Sequence, residues 1–127
     1  MKLINDTNSA AAIGPYSHAV TAGNLLFTSG QIPVNPETSS LVEDEITAQT
    51  EQVIKNLESI LKSQDLSLNN VIKTTVFLKD MKEFADFNSA YEEKFGTHKP
   101  ARSTIEVSSL PLDSRVEIEA VAEISPL

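Results

Sequence analysis

The sequence predicts an α+β fold in which two helices cover one face of a β-sheet. Two stretches have apolar residues at helical spacing, from about Asp44 to Gln64 and from Phe84 to Phe95. The runs between and around them are rich in β-branched residues or alternate between apolar and polar. With 127 residues, 40% of them hydrophobic and 22% charged, the chain fits one domain spanning residues 1–127.

The first third of the chain is predicted to form a hairpin. His18 to Ala22 and Leu25 to Ser29 flank the dipeptide Gly23-Asn24, which is typical of a two-residue turn. The following segment, Gln31 to Ser40, contains two prolines and is predicted to be a loop or a broken edge strand.

The first helix is indicated by a single apolar stripe and an acidic start. The stripe consists of Ile46, Thr50, Val53, Leu57, Ile60 and Leu61. Acidic residues at 43–45 suit the positive end of the helix dipole. A turn at 67–70 follows, and Val71 to Leu78 is predicted to be a central strand because it is rich in β-branched residues.

The second helix is predicted to begin after a capping box at Asp80 to Glu83 and to end at Gly96. Two strands then close the chain, Ala101 to Val107 and Arg115 to Ala122. The predicted order is therefore β-β-α-β-α-β-β, with both helices on one face of the sheet.

The other face of the sheet is predicted to be covered by further subunits. In the last strand, one side carries Val116, Ile118, Ala120 and Ala122, and the other carries mostly charged residues. Two helices can cover only one face. The uncovered face would carry a partly apolar mixture, either Val71, Lys73, Thr75 and Phe77 or the alternate set. Such a mixture predicts an oligomer.

The charge and composition of the chain argue against several kinds of binding partner and of active site. A net charge of -8 repels phosphate backbones, so nucleic-acid binding is not expected. The chain has no cysteine, which excludes disulfides, thiolate metal sites and a cysteine nucleophile. The N-terminus lacks the apolar core of a signal peptide and no apolar run is long enough to span a membrane, so we expect a cytoplasmic protein.

Two charged residues stand out as candidates for chemistry. Arg102, near the start of a predicted strand, could bind a carboxylate through two parallel hydrogen bonds. The ordinary alternative is a salt bridge at the surface or at an interface. Glu119, inside the apolar last strand, could polarise a water molecule or hold a substrate nitrogen, or simply face solvent. Arg115, the only other arginine, is expected to be solvated at the surface.

Several uncharged or neutral residues are weaker candidates. Tyr16 could form the wall of a pocket, Ser29-Gly30 could let a ligand approach backbone N–H groups, and Asn88 could reach a pocket edge. A packed tyrosine, a simple turn and an exposed asparagine are the ordinary alternatives. His18 and His98 have no ligand-spaced partners, so a metal site is not predicted and both are interpreted as structural or surface residues.

Six ordered segments resemble the RidA family, the YjgF-type reactive intermediate deaminases. The segments are IGPYSHAV at 13–20, SGQIPV at 29–34, VIKTTVFLKDM at 71–81, FNSAYEEKFG at 87–96, PARSTIEV at 100–107 and VEIEAVA at 116–122. Together they cover nearly the whole chain. The resemblance implies a chorismate-mutase-like fold and a homotrimer whose sheets form a central barrel, with ligand pockets between subunits.

The resemblance also implies an activity and assigns roles to residues. Members of the family hydrolyse enamines and imines such as 2-aminoacrylate, 2-iminopropanoate and 2-iminobutanoate to 2-keto acids and ammonia, without a cofactor. By this resemblance, Arg102 binds the substrate carboxylate and Glu119 positions the attacking water. Backbone groups near Gly30 and Thr104 complete the carboxylate site, and Tyr16, Ser29 and Asn88 line the pocket.

One residue departs from the family pattern, and two other functions stay open. Many relatives have cysteine where this chain has Thr104, so a function that needs a thiol is not expected here. The alternatives are a regulatory trimer that binds small carboxylates without catalysis, and a ribonuclease or translation inhibitor. The acidic charge weighs against the latter.

Overall fold

A computed structural model describes residues 1–124 and confirms the predicted α+β architecture. Its strands are β1 (Lys2–Ile4), β2 (Ala19–Ala22), β3 (Leu25–Thr28), β4 (Val34–Asn35), β5 (Ser40–Leu41), β6 (Val71–Leu78), β7 (Ala101–Glu106) and β8 (Val116–Glu123). Its helices are α1 (Ile46–Lys62) and α2 (Phe84–Phe95). None of the helices in residues 1–124 is both long and apolar enough to cross a bilayer.

The main sheet has six strands in the order β1-β2-β3-β8-β6-β7. All neighbours are antiparallel except β6 and β7, which run parallel because α2 makes the crossover between them. β7 is therefore an edge strand. β4 and β5 form a separate two-stranded sheet within the segment predicted to be a loop or a broken strand.

The sequence interpretation missed β1, which pairs with β2 at the other edge of the sheet. Its three residues are too few to establish an alternating pattern, and only Ile4 is buried. Pairing with β2 forms this strand, which the local sequence alone does not indicate.

The core lies between the two helices and one face of the sheet. β8 alternates as predicted, with Val116, Ile118, Ala120 and Ala122 buried. In β6, Thr74, Val76 and Leu78 are buried, whereas Lys73, Thr75 and Phe77 are only partly buried on the open face. Val71 does not join that second set. A register shift between Val71 and Lys73 leaves it fully buried.

The predicted capping box at Asp80 to Glu83 is wrong. The Asp80 carboxylate accepts a hydrogen bond from the backbone N–H of Lys82, but it caps a short 3₁₀ turn, Met81–Glu83, that precedes α2. Glu83 does not reach back to Asp80. Its carboxylate instead pairs with the Arg115 guanidinium at 2.8 Å.

Arg115 is correspondingly not a solvated surface residue. Its guanidinium also pairs with Asp44 at 2.7 Å, and its backbone N–H donates to the Gln49 side chain at 2.8 Å. Hydrogen bonds to Asp44 and then to Glu83 raise the pKa of Arg115 above its usual value. Arg115 therefore connects the start of β8 to both helical regions.

Candidate active site

The first group of candidate residues lies where β3 ends, next to β8. Backbone hydrogen bonds in both directions between Gln31 and Ile118, of 2.8 and 3.1 Å, hold the Ser29-Gly30 segment against β8. The carboxylate of Glu117 occupies the space beside the Gly30 Cα. A Cβ at this position would lie 2.9 Å from the Glu117 carboxyl carbon and closer still to Oε2. Glycine is therefore required here for Glu117 to approach the backbone.

Tyr16 is held beside this segment by its own loop. Its hydroxyl accepts a hydrogen bond from the Ile13 N–H at 3.2 Å, and its ring packs on Gly14. Ser29 stabilises the loop, because its hydroxyl donates a hydrogen bond to the Ser17 carbonyl at 2.6 Å. Tyr16, Ser29 and Gly30 therefore line one cavity.

A buried hydrogen-bond network anchors the start of this loop. His18 accepts from the Asp6 N–H and bonds the Ala10 carbonyl, each at 2.8 Å, so it has the structural role predicted for it. Burial would raise the pKa of Asp6, but hydrogen bonds from the Ser59 and Ser9 hydroxyls outweigh it and lower the pKa below its usual value. The network joins the segment that precedes the loop of Tyr16 to His18, which follows that loop, so both ends of the loop are held in place.

The glutamate that lines the cavity here is Glu117, whereas the resemblance to the family implied Glu119. Both side chains lie on the open face, since they are two residues apart on β8. Glu119 is exposed and lies opposite Thr75 of β6. Glu117 is half-buried, and it lines the cavity that also contains Tyr16, Ser29 and Gly30. Sequence periodicity could place both glutamates on this face but could not choose between them.

The environment of Glu117 favours its neutral form. Burial, and secondarily the negative charge of Glu119, raise the pKa of Glu117 above that of an ordinary glutamate. A carboxylate with a raised pKa is a better proton acceptor in its ionised form. The cavity in front of it has a volume of about 470 Å³.

The second group of candidate residues surrounds Arg102. Its guanidinium carbon lies 4.9 to 5.6 Å from the ring centres of Phe84, Phe87 and Tyr91 on α2. Within residues 1–124 the Arg102 side chain forms neither a hydrogen bond nor an ion pair, although acidic residues outnumber basic ones. The surface salt bridge considered for Arg102 is therefore not formed within the described chain, and its donors are free to bind a carboxylate.

Asn88 and Thr104 lie on the same side of the sheet as Arg102. Asn88 lines a cavity of about 450 Å³ together with Arg102. Asn88 Oδ1 and Thr104 Oγ1 are buried, and neither has a hydrogen-bond partner in the part of the chain that the structure describes. Buried polar atoms normally have partners, so these two are consistent with a site completed by a ligand or another subunit.

Backbone donors add to this second group. The Val107 N–H donates to Leu78 of β6, and successive N–H groups of a strand point to opposite sides. The N–H groups of Arg102 and Thr104 therefore point away from β6, toward the unpaired edge of the sheet. They are available to an anion bound at that edge.

The two groups of residues lie on opposite faces of one sheet. Arg102 is opposite Thr74, whose side chain is buried under the helices, and Arg102 itself packs on α2. Glu117 is opposite Phe77 on the open face. A molecule of three or four carbons cannot contact both side chains within one chain. We refer to these groups as the Arg102 half-site and the Glu117 half-site.

Neither half-site resembles a metal centre. Within residues 1–124 no cluster of three or more histidine, aspartate or glutamate side chains is arranged to hold a metal ion. The chemistry available from these residues is anion binding by Arg102 and proton transfer by Glu117.

Replacing Thr104 by alanine is expected to retain most of the activity of the site. The change removes a buried hydroxyl without a partner among the described residues, and it keeps the backbone N–H. We expect kcat/KM within about threefold of the parent and unchanged or slightly higher thermal stability. A loss of about a hundredfold with folding intact would show that the hydroxyl itself contacts the substrate.

Comparison with known proteins finds similar sequences over nearly the whole chain. A model of the family described as endoribonuclease L-PSP matches residues 7–124. A RutC family protein of Pyrococcus horikoshii is 51% identical over 121 residues, which is 95% of this chain and 96% of that protein. A 2-iminobutanoate/2-iminopropanoate deaminase of Escherichia coli is 46% identical over 124 residues, with the same coverage of both chains.

Solved structures show the same fold. The crystal structure of the yjgF gene product of E. coli has a TM-score of 0.93 and 44% identity, and the match covers 98% of this chain and all of that chain. The structure of E. coli TdcF with bound serine has a TM-score of 0.93 and 38% identity over the same shares of the two chains.

Proposed function

The chain belongs to the endoribonuclease L-PSP family, which includes the RidA/YjgF deaminases, and we propose that it is a 2-iminobutanoate/2-iminopropanoate deaminase. It hydrolyses small 2-imino acids, and the enamines that tautomerise to them, to 2-keto acids and ammonia. The observation that carries the proposal is the Arg102 guanidinium, which is unpaired within residues 1–124 and packed on three aromatic rings. The name of the 46% identical E. coli relative supports it.

The substrate carboxylate binds at the Arg102 half-site. Two parallel N–H groups of the guanidinium match the two carboxylate oxygens, and the N–H of Thr104 adds a donor at the strand edge. The three rings keep the guanidinium in place and shield it from water. TdcF was solved with bound serine, a ligand with the same carboxylate.

Glu117 activates the water at the other half-site. As the water oxygen bonds to C2 of the imine, Glu117 takes one proton from the water, the C=N electron pair moves to nitrogen, and Glu117 passes that proton to the nitrogen. In the resulting carbinolamine, Glu117 takes the proton of the new hydroxyl group and delivers it to the amine, which allows the C2–N bond to break. The carbonyl then forms, ammonia leaves, and Glu117 returns to its ionised state. The reaction uses water alone and needs no cofactor.

The opposite placement of the half-sites implies that two subunits form each active site. Arg102 of one chain meets Glu117, Gly30 and Tyr16 of another. The unpaired edge of β7 and the exposed apolar side chains of the open face, Phe27 among them, favour such contact. We propose a homotrimer with three such interfaces, in the cytoplasm.

The function is tested by coupling the purified protein to a serine or threonine dehydratase. At a fixed amount of dehydratase, which releases the enamine, added protein is expected to speed the appearance of keto acid and ammonia. No acceleration, with ligand binding retained, would support the alternative of a non-catalytic carboxylate-binding protein.

Ribonuclease activity is the other function associated with the family by its description. A net charge of -8 works against binding a phosphate backbone, and Arg102 lies in a pocket rather than on a basic surface. RNA binding that weakened steeply with added salt would contradict this interpretation.

A further inference from the structure

The cavity of the Glu117 half-site has one wall that the proposed reaction does not use. This wall consists of the apolar lining residues Ile13, Ile32, Pro111 and Leu112. Two of these side chains are largely exposed, Ile13 at 72% and Leu112 at 55%. We call these four residues the apolar wall.

Leu112 is held in the wall by an unusual backbone conformation. Its φ is 57° and that of Asp113 is 56°, in the left-handed region that leucine rarely adopts. The surrounding turn maintains it. The Asp113 N–H donates to the Leu110 carbonyl at 3.0 Å, and the Ser114 N–H donates to the Pro111 carbonyl at 3.1 Å, so backbone hydrogen bonds alone close the turn. Conformations of this kind often accompany functional sites because the surrounding structure must sustain them.

We propose that the apolar wall, with Leu112 at its centre, receives the side chain of the substrate and makes the protein prefer 2-imino acids with larger apolar side chains. The inference rests on the proposed function, because Glu117 defines the reacting end of the cavity. The inference extends the proposed hydrolysis from the smallest 2-imino acids to those with branched or longer side chains, such as the 2-imino acid that corresponds to leucine.

Continuity with Glu117 argues for the substrate as the occupant of the wall. One cavity of about 470 Å³ contains both the carboxylate and the apolar residues. The substrate carbon that reacts must lie near Glu117, so the group attached to it extends toward the wall. A methyl side chain leaves most of the wall in contact with water, whereas a branched chain covers it and gains the free energy of apolar burial.

Leu112→Asn is the variant that tests the proposal. Asparagine has a similar size and adopts the left-handed conformation readily, so the turn is preserved while the apolar surface is lost. Asp113→Asn is the matched control, since it lies in the same turn with the same conformation but does not line the cavity. Binding of two stable keto acid products, pyruvate and 4-methyl-2-oxopentanoate, is measured by calorimetry, together with turnover of the corresponding imines.

We expect the parent protein to bind 4-methyl-2-oxopentanoate more tightly than pyruvate, by about tenfold. Leu112→Asn should remove most of this preference and leave pyruvate binding unchanged, and Asp113→Asn should retain the preference. The ratio of kcat/KM values for the two imines should change in parallel.

Three results would overturn the inference. The first is an equal loss of affinity for both keto acids in Leu112→Asn, and the second is the same loss of preference in Asp113→Asn. The third is a changed oligomer mass of Leu112→Asn in light scattering, which would show that the apolar wall forms a contact between subunits. Because keto acid binding needs no turnover, a parent protein that shows the binding preference but hydrolyses no imine would contradict the proposed function while supporting the wall.

Discussion

Replacing Arg102 by alanine is expected to abolish imine hydrolysis while leaving the subunits folded and assembled. A hydrogen bond to a charged group contributes about 1.5–3 kcal/mol, and Arg102 offers two at once, so kcat/KM should fall by about a hundredfold or more. Arg102→Lys should recover little, since an ammonium cannot supply two parallel donors. Steady-state kinetics with 2-iminobutanoate, alongside circular dichroism and light scattering, provide the measurement.

The control for this variant is the substitution of a basic residue whose side chain forms no ion pair that stabilises the fold. Arg115 is unsuitable because it pairs with Asp44 and Glu83, and its loss would disturb the start of β8. Lys62→Ala, at the exposed end of α1, changes the net charge by the same amount and should be silent. Parent activity in Arg102→Ala would show that the carboxylate binds elsewhere.

Replacing Glu117 by glutamine is expected to lower kcat by about a hundredfold or more, within the range of general base catalysis. Glutamine has nearly the same shape but cannot accept the proton from water. The variant should fold well. The pKa of Glu117 is raised in the folded protein, so its ionisation lowers stability as pH rises through that pKa, and a neutral side chain removes this cost.

Glu119→Gln is the matched comparison and distinguishes the two glutamates. It should retain the maximal rate, because Glu119 is exposed and does not line the cavity that contains Glu117. Activity requires ionised Glu117. Because the pKa of Glu117 is raised, activity should begin to fall at a higher pH than it would if the base were an ordinary glutamate. Removing the nearby negative charge lowers the pKa of Glu117, so the acid limb should move to lower pH in Glu119→Gln. A rate loss in Glu119→Gln with none in Glu117→Gln would reverse the assignment.

The elements with a strong repeating pattern could be predicted from sequence. The apolar stripe of α1, the aromatic spacing of α2 and the alternation in β8 depend on local periodicity, and all three are confirmed. β1 is different, because three residues carry no period and the strand exists only by pairing with β2. The open face also followed from the sequence, since two helices cannot cover both sides of a sheet.

The site residues were predictable where the chain itself brings them together. Tyr16, Ser29 and Gly30 are joined by one hairpin and its loop, and the structure gathers them. The choice between Glu117 and Glu119 depends on the packing of the Glu117 side chain beside Gly30, a contact between distant segments that no local pattern encodes. The partners of Arg115 lie 32 and 71 residues away along the chain, so no local pattern predicts its ion pairs.

The proposed active site combines Arg102 of one subunit with Glu117 of another. It is tested by mixing two variants that are inactive alone, Arg102→Ala and Glu117→Gln, through denaturation and joint refolding. Some interfaces then join an intact Arg102 to an intact Glu117, and with random assembly from equal amounts about one quarter of the interfaces regain both groups. We expect activity near that fraction of the parent. If both groups acted within one subunit, every site in the mixture would lack one of them, and the mixture would be as inactive as the separate variants.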